Sequence, residues 1–244
     1  MSEAEIELAH PPIVSSDEWL VQRLKLLDEE KAVTKAYDRV NALRRRLPMV
    51  KVEKDYRFMG ADGEKRLIDL FQGRRQLIVH HFMFDPAWEK GCPSCTWHAS
   101  SFGNLKALAA TDTSMVTISR APIEKLVAYQ REKDLSNTWY SSYGSDFNYD
   151  FMVTLDPSQG PVQYNYKTGE ELRKAIGAVD GPAEWPGFSV FFRIGDDVFH
   201  TYSAYGRGVE NLTDSNRLLD ITPYGRQEDF EDSPEEWPQQ PTYG

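Results

Sequence analysis

The sequence predicts an α/β protein: a central mixed sheet flanked by helices, a helical extension at the N-terminus, and an aromatic-rich insertion. Three observations carry this expectation. The run QLIVHHFMF (76–84) is near-continuously apolar, as in a central strand covered on both faces, and SMVTISR (114–120) reads as a second central strand. Each is followed by a helical segment, and strand–helix–strand–helix order implies parallel pairing. Finally FSVFFRI, the turn GDD and VFHTYSAY read as an antiparallel hairpin.

The elements follow in order. Ser15 to about Leu47 reads as one helix, because Ser15 with Glu18 fits a capping box and neither Pro nor Gly intervenes before Pro48. At 1.5 Å per residue, about 30 residues run about 45 Å, so the helix either bends or packs against a second subunit. Arg44 to Arg46 close it where cations suit the helix dipole. VKVEKDYRFMGADGEKRLIDLF reads as an edge hairpin with an ADG turn. A helix is expected from about Cys92 to Ala110, and another from Pro122. Residues 136–187 form the least regular part, and GRGVENLTDSNRLLDI reads as the final helix. The division expected is a helical extension (1–50), the main domain (51–225), and an acidic, proline-bearing tail (226–244) that reads as a loosely attached strap.

Composition excludes several classes. At 244 residues and 40 % apolar content, the chain can build a sizeable core. Its net charge of −10 opposes general nucleic-acid binding, and no apolar run approaches the about 20 residues of a membrane span. The acidic start MSEAEIELAH has no basic, apolar leader, which predicts a cytoplasmic protein. Two cysteines make no disulfide framework; a close pair in a reducing compartment points to catalysis or metal binding.

Both cysteines lie in GCPSCTWH, between a buried strand and a helix. At a helix N-terminus, unsatisfied N–H groups and the dipole stabilise a thiolate, which is the attacking species in disulfide exchange. Cys92 occupies that place, Pro93 suits the first turn, and Cys95 returns to the same end of the helix as a resolving thiol.

The order strand, Cys-x-x-Cys helix, strand, helix, proline, hairpin and terminal helix resembles the thioredoxin fold. LIVHHFMFDPAWEKGCPSC, ISRAPIEKL, WYSSYGSDFNYDF and PGFSVFFRIGDDVFHTYSAYGRG are moreover similar to the signatures of a thioredoxin-like family, the domain of unknown function 899, across residues 17–226. That resemblance implies a dithiol-disulfide oxidoreductase acting on a thiol or disulfide substrate without a cofactor. It also implies that Pro186, in EWPGF, occupies the place of the cis-proline facing the thiols. A peroxiredoxin-like site fits less well, since Glu89 stands three residues before Cys92 where that family has Thr or Ser, and Pro86 is offset.

A second reading is metal binding. Copper held by two helix-end thiols and one histidine, as in Sco-type chaperones, draws on Cys92 and Cys95 with His98 or His200, or with whichever of His80 and His81 faces the site. Zinc fits less well, because a closed structural site wants four ligands. Each histidine also has an ordinary place, in a hydrogen-bonded core or on a helix surface. Trp88, Trp139, Tyr143, Phe147 and Trp185 are candidate substrate contacts, although aromatics in such a segment equally fill a core or a subunit interface. A third reading is a non-enzymatic scaffold that dimerises through the N-terminal helix.

Overall fold

A computed structural model describes residues 9–177 and 181–240. Pro48–Asp214 forms one compact unit, and the described parts of Met1–Leu47 and Ser215–Gly244 form another. The two chain ends thus group together.

The first helix, α1 (Ser16–Arg44), starts as the sequence predicts. The Ser15 hydroxyl accepts from the Glu18 N–H, and the Glu18 carboxylate accepts from the Ser15 N–H in return. After β1 (Val50–Lys51) come the expected hairpin, β2 (Arg57–Gly60) and β3 (Gly63–Arg66), and then a 3-10 turn at Leu67–Phe71. Strand β4 (Gln76–His81) leads to the helices α2 (Pro93–Ser100) and α3 (Leu105–Ala110), then to β5 (Thr113–Ser119) and α4 (Ile123–Glu132). The single helix expected over 92–110 is thus two. Gly103 lies in the break, where a Cβ would stand 2.6 Å from the Asp214 carboxylate, and the Asn104 side chain caps α3.

The segment expected to be irregular contains a third parallel strand, β6 (Thr138–Ser141). Its four residues, TWYS, are too few to show periodicity. Then follow α5 (Phe147–Asp150), β7 (Thr154–Leu155), β8 (Gln163–Tyr164), β9 (Lys167–Thr168), α6 (Gly169–Ile176) and β10 (Ala183–Glu184). The hairpin β11 (Gly187–Ile194) and β12 (Asp197–Tyr205) stands where expected. The final helical segment is divided into a 3-10 stretch, Gly206–Leu212, and α7 (Asp214–Leu219), because Thr213 between them is extended. The tail closes on itself as far as it is described, with Gln240 donating to the Gln227 carbonyl at 2.8 Å and Tyr224 edge-on to Trp237.

The main sheet has eight strands in the order β1-β12-β11-β4-β5-β6-β2-β3. Strands β4, β5 and β6 are parallel, and β11 returns antiparallel to β4. The stretch β12-β11-β4-β5, with helices after β4 and β5, is a thioredoxin-like arrangement. Alternation along β4 sends Leu77, Val79 and His81 to one face and Ile78, His80 and Phe82 to the other. The first face packs under Phe58, Phe71, Phe147 and Phe191. Among the described residues, no helix is long and apolar enough to cross a membrane.

Candidate functional site

The thiols stand where the chain leaves β4 and turns into α2. Cys92 is the residue before the helix, with Pro93 at its first position, so helical N–H groups face the Cys92 sulfur. Three contacts fix the approach. The Cys92 N–H donates to the Met83 carbonyl at 3.0 Å, the Tyr129 hydroxyl donates to the Gly91 carbonyl at 3.2 Å, and Lys125 Nζ donates to the carbonyls of Pro86 and Trp88 at 2.8 and 3.0 Å. Gly91 is needed at this point, because a Cβ there would lie 2.5 Å from the Phe82 ring.

The two cysteines are free thiols with opposite environments. Cys92 is half-buried, and its pKa is lowered to about 6. The Cys95 thiol directed at its sulfur contributes most, the N–H groups of Cys95 and Ser94 and the Ser94 hydroxyl add to the effect, and burial opposes it. Cys95 is only 2 % exposed and is pushed well above the usual thiol range. Its hydrogen bond to Cys92 is the first cause, followed by burial and the Cys92 charge; the nearby Glu184 carboxylate adds to the rise.

Glu184 belongs to a charged cluster that sequence reasoning missed. Its side chain is 2 % exposed, accepts from Arg120 Nη1 at 2.9 Å and from the Thr154 hydroxyl at 3.0 Å, and has its pKa raised by burial to about 7. Arg120 also reaches Asp85 at 3.7 Å and lies over the Tyr149 ring. Asp85, Arg120 and Glu184 come from the ends of β4 and β5 and from the pairing of β10 with β7. No short motif joins residues 85, 120 and 184. The one signal was Arg120 directly after a buried strand, at the carboxyl end of the strands where parallel α/β proteins place their ligands.

Several expectations change. Among the described residues every peptide bond is trans, so the expected cis bond at Trp185–Pro186 is absent and Pro186 loses the role tied to it. The local bonding accounts for this course. Trp185 donates its N–H to the Val153 carbonyl at 2.8 Å, the Pro186 carbonyl accepts from the Tyr164 hydroxyl at 2.9 Å, and the chain runs from β10 directly into β11. The Trp185 ring packs on Tyr164, with centroids 4.8 Å apart. Trp139 and Phe147, expected to contact substrate, are core residues at 4 % and 0 % exposure. Trp139 packs on Phe82 and donates Nε1 to Asn137, while Phe147 lies among Tyr56, Phe58 and Phe151. Tyr143 and Trp88 are exposed, and Trp88 sits on the loop that enters the thiol pair.

The histidines divide between the two sheet faces. His80 packs on Phe188 and Phe102, and burial holds its pKa well below the usual value, with smaller effects from the His98 and His81 charges. On the other face, His81 Nε2 meets the Ser189 hydroxyl at 2.8 Å, Ser189 meets Ser203 at 2.9 Å, and Ser203 meets His200 Nε2 at 2.7 Å. Among the described residues, no three histidine, cysteine or carboxylate groups stand together as a metal ligand set. His98, His200, His80 and His81 therefore do not join Cys92 and Cys95 as the third ligand that copper requires, and the residues present do not fit that metal.

Comparison with known proteins gives a family without an activity. No curated protein matches the chain. Among solved structures, peroxidoxin BcpB from Mycobacterium tuberculosis is similar at 19 % identity, over 64 % of this chain and 86 % of that one, with a TM-score of 0.40. A mutant PrxQ from Xylella fastidiosa gives 12 %, 70 %, 93 % and 0.43 by the same measures. The reduced 2-Cys peroxiredoxin of Plasmodium vivax gives 13 %, 66 %, 82 % and 0.38. Values this low transfer no chemistry. The family model described as "Bacterial protein of unknown function (DUF899)" matches residues 8–243, nearly the whole chain, and the chain belongs to that family.

Proposed function

We propose that the protein is a dithiol-disulfide oxidoreductase in which Cys92 attacks and Cys95 resolves. One observation supports this most: at a single helix end, the half-buried thiol is held as thiolate near neutral pH while its buried partner keeps its proton. The Cys92 thiolate attacks a substrate disulfide, one S–S bond forms as another breaks, and a substrate thiolate leaves. Cys95 then loses its proton and attacks the Cys92 sulfur, expelling the second substrate thiolate. The protein ends with a Cys92–Cys95 disulfide and the substrate is reduced by two electrons; the reverse sequence oxidises a dithiol.

In this reading Glu184 is the general base that takes the Cys95 proton. Its pKa of about 7 leaves part of it as carboxylate at neutral pH, and its charge reaches Cys95. Trp88 is the aromatic we assign to substrate contact, since it is exposed and lies on the loop that leads into Cys92, where its carbonyl is held by Lys125.

The test is the rate at which the reduced protein is alkylated by iodoacetamide across the pH range. A midpoint near 6, assigned to Cys92 by peptide mapping, is expected; a midpoint near that of a free thiol would sink the reading. In parallel, Cys95→Ser incubated with oxidised glutathione should accumulate a mixed disulfide on Cys92, and an unmodified Cys92 would count equally against it.

A further inference from the structure

Helix α1 presents an uncovered row. It runs 29 residues, about 43 Å, and none of its residues is buried. Trp19, Leu26, Val33 and Val40 recur at intervals of seven and are 59, 54, 67 and 42 % exposed. A seven-residue spacing keeps side chains nearly in line along a helix, which is how paired helices build a seam. Leu43, also exposed, widens the row in its second half, whereas Tyr37 carries the Arg44 and Arg217 guanidinium groups over its ring. An isolated exposed leucine needs no explanation, but a row along four turns or more does.

The charge pattern selects the occupant. Residues 16–30 hold five acids (Asp17, Glu18, Asp28, Glu29, Glu30) and two bases (Arg23, Lys25), a net of −3. Residues 31–44 hold four bases (Lys31, Lys35, Arg39, Arg44) and one acid (Asp38), a net of +3, and Arg45 and Arg46 follow directly after the helix. A helix with opposite charge on its two halves is complementary to itself when turned end for end, and self-repelling when set parallel. Within the helix the apolar row is compatible with this: with Val33 at the centre, Leu26 faces Val40, and Trp19 faces the segment just past the helix end, where Leu47 is 53 % exposed. Self-complementarity about one point is the requirement for a twofold interface.

We infer that α1 is an antiparallel homodimerisation helix, two copies meeting along Trp19, Leu26, Val33 and Val40 with the twofold axis at Val33. This goes beyond the thiol chemistry and stands or falls separately from it.

The test uses the full chain. Sedimentation equilibrium at about 10–100 µM, where an association of micromolar strength populates the dimer, should give twice the 28.0 kDa chain mass. Val33→Asp, which places two carboxylates on the axis, should give the chain mass with unchanged circular dichroism. Orientation is read by oxidative crosslinking in a Cys92→Ser, Cys95→Ser background. Val33→Cys should crosslink to itself, and Leu26→Cys should crosslink with a Val40→Cys chain and not with its own copy. Four results would each overturn the proposal: a monomer throughout that range; a dimer that survives Val33→Asp; self-crosslinking by Leu26→Cys as fast as by Val33→Cys; or a monomer that sediments with phosphatidylserine vesicles, which would make the row a lipid-facing surface.

Discussion

The thiol end of the sheet and the histidine thread on its opposite face solve the same problem in opposite ways. Each holds titratable side chains out of water. In the thread, His81 and His200 are both shifted down by burial, and a serine hydroxyl meets Nε2 of each, while His81 Nδ1 is buried without a partner. At the thiol end charge is kept: Arg120 lies between Glu184 and Asp85, Glu184 titrates near 7 and Cys92 near 6. Burial alone therefore does not mark a working site. Groups that remain able to change charge near neutral pH mark it, and here they gather around the cysteines.

The strongest way to break this contrast is Cys92→Ser. It removes the one nucleophile poised near neutrality, so reduction of a disulfide substrate should drop to the background rate, while His81→Gln should leave that rate within about twofold of the parent. Insulin reduction with a thiol donor reads both. Equal losses would mean that the two regions do not differ in kind.

The second prediction concerns acid stability. His81 is lowered to about 3, by burial first and the His200 charge second. Between pH 6.5 and 3 the unfolded chain binds a proton that the folded chain refuses. This contribution is complete above pH 6.5 and is lost as pH falls through that window, by about 3 kcal/mol at pH 4. His80 adds a shift of the same sign. Urea unfolding at pH 7, 5 and 4 should show a shallower decline for His81→Gln than for the parent. Parallel declines would mean that His81 is charged in the fold.

Legibility in the sequence follows the same division. Strand β4 was readable because burial on both faces writes a continuous apolar run, and Cys92 because a proline at the first turn announces a helix start. The β11–β12 hairpin was readable from its turn. Strand β6 was not, since four residues carry no period, and Trp139 looked like a ligand contact although it closes the core against Phe82. The Asp85, Arg120 and Glu184 cluster was unreadable for a different reason: its members are brought together only by the sheet and by the β7–β10 pair. Local chemistry leaves a mark in the sequence that long-range convergence does not.

Glu184→Gln sharpens the contrast at the thiol end. If Glu184 takes the Cys95 proton, resolution of a mixed disulfide on Cys92 should slow about a hundredfold, with formation of that mixed disulfide unchanged; stopped-flow separates the two steps. Stability gives an independent readout. The Glu184 pKa is raised from 4.5 to about 7, chiefly by burial. The folded chain thus holds a proton that the unfolded chain releases, and this contribution is present below pH 4.5 and is lost as pH rises to 7. Glu184→Gln should remove that decline. A variant that resolves at the parental rate would restrict Glu184 to holding Arg120.

The smallest effect belongs to Tyr129→Phe. The Tyr129 hydroxyl donates to the Gly91 carbonyl and lies 2.8 Å from the Thr96 hydroxyl, which itself donates to the Cys92 carbonyl. Removing it leaves the Gly91 carbonyl short of a partner, and a neutral hydrogen bond of this kind contributes about 1 kcal/mol. The ring remains packed on Phe84, so no cavity opens. The groups that lower the Cys92 pKa are Cys95 and Ser94, and Tyr129 is not among them. Thermal unfolding should therefore register the loss while the midpoint of Cys92 alkylation stays near 6. A midpoint that rose with the substitution would show that the loop before Cys92, and not the helix end after it, sets the thiolate.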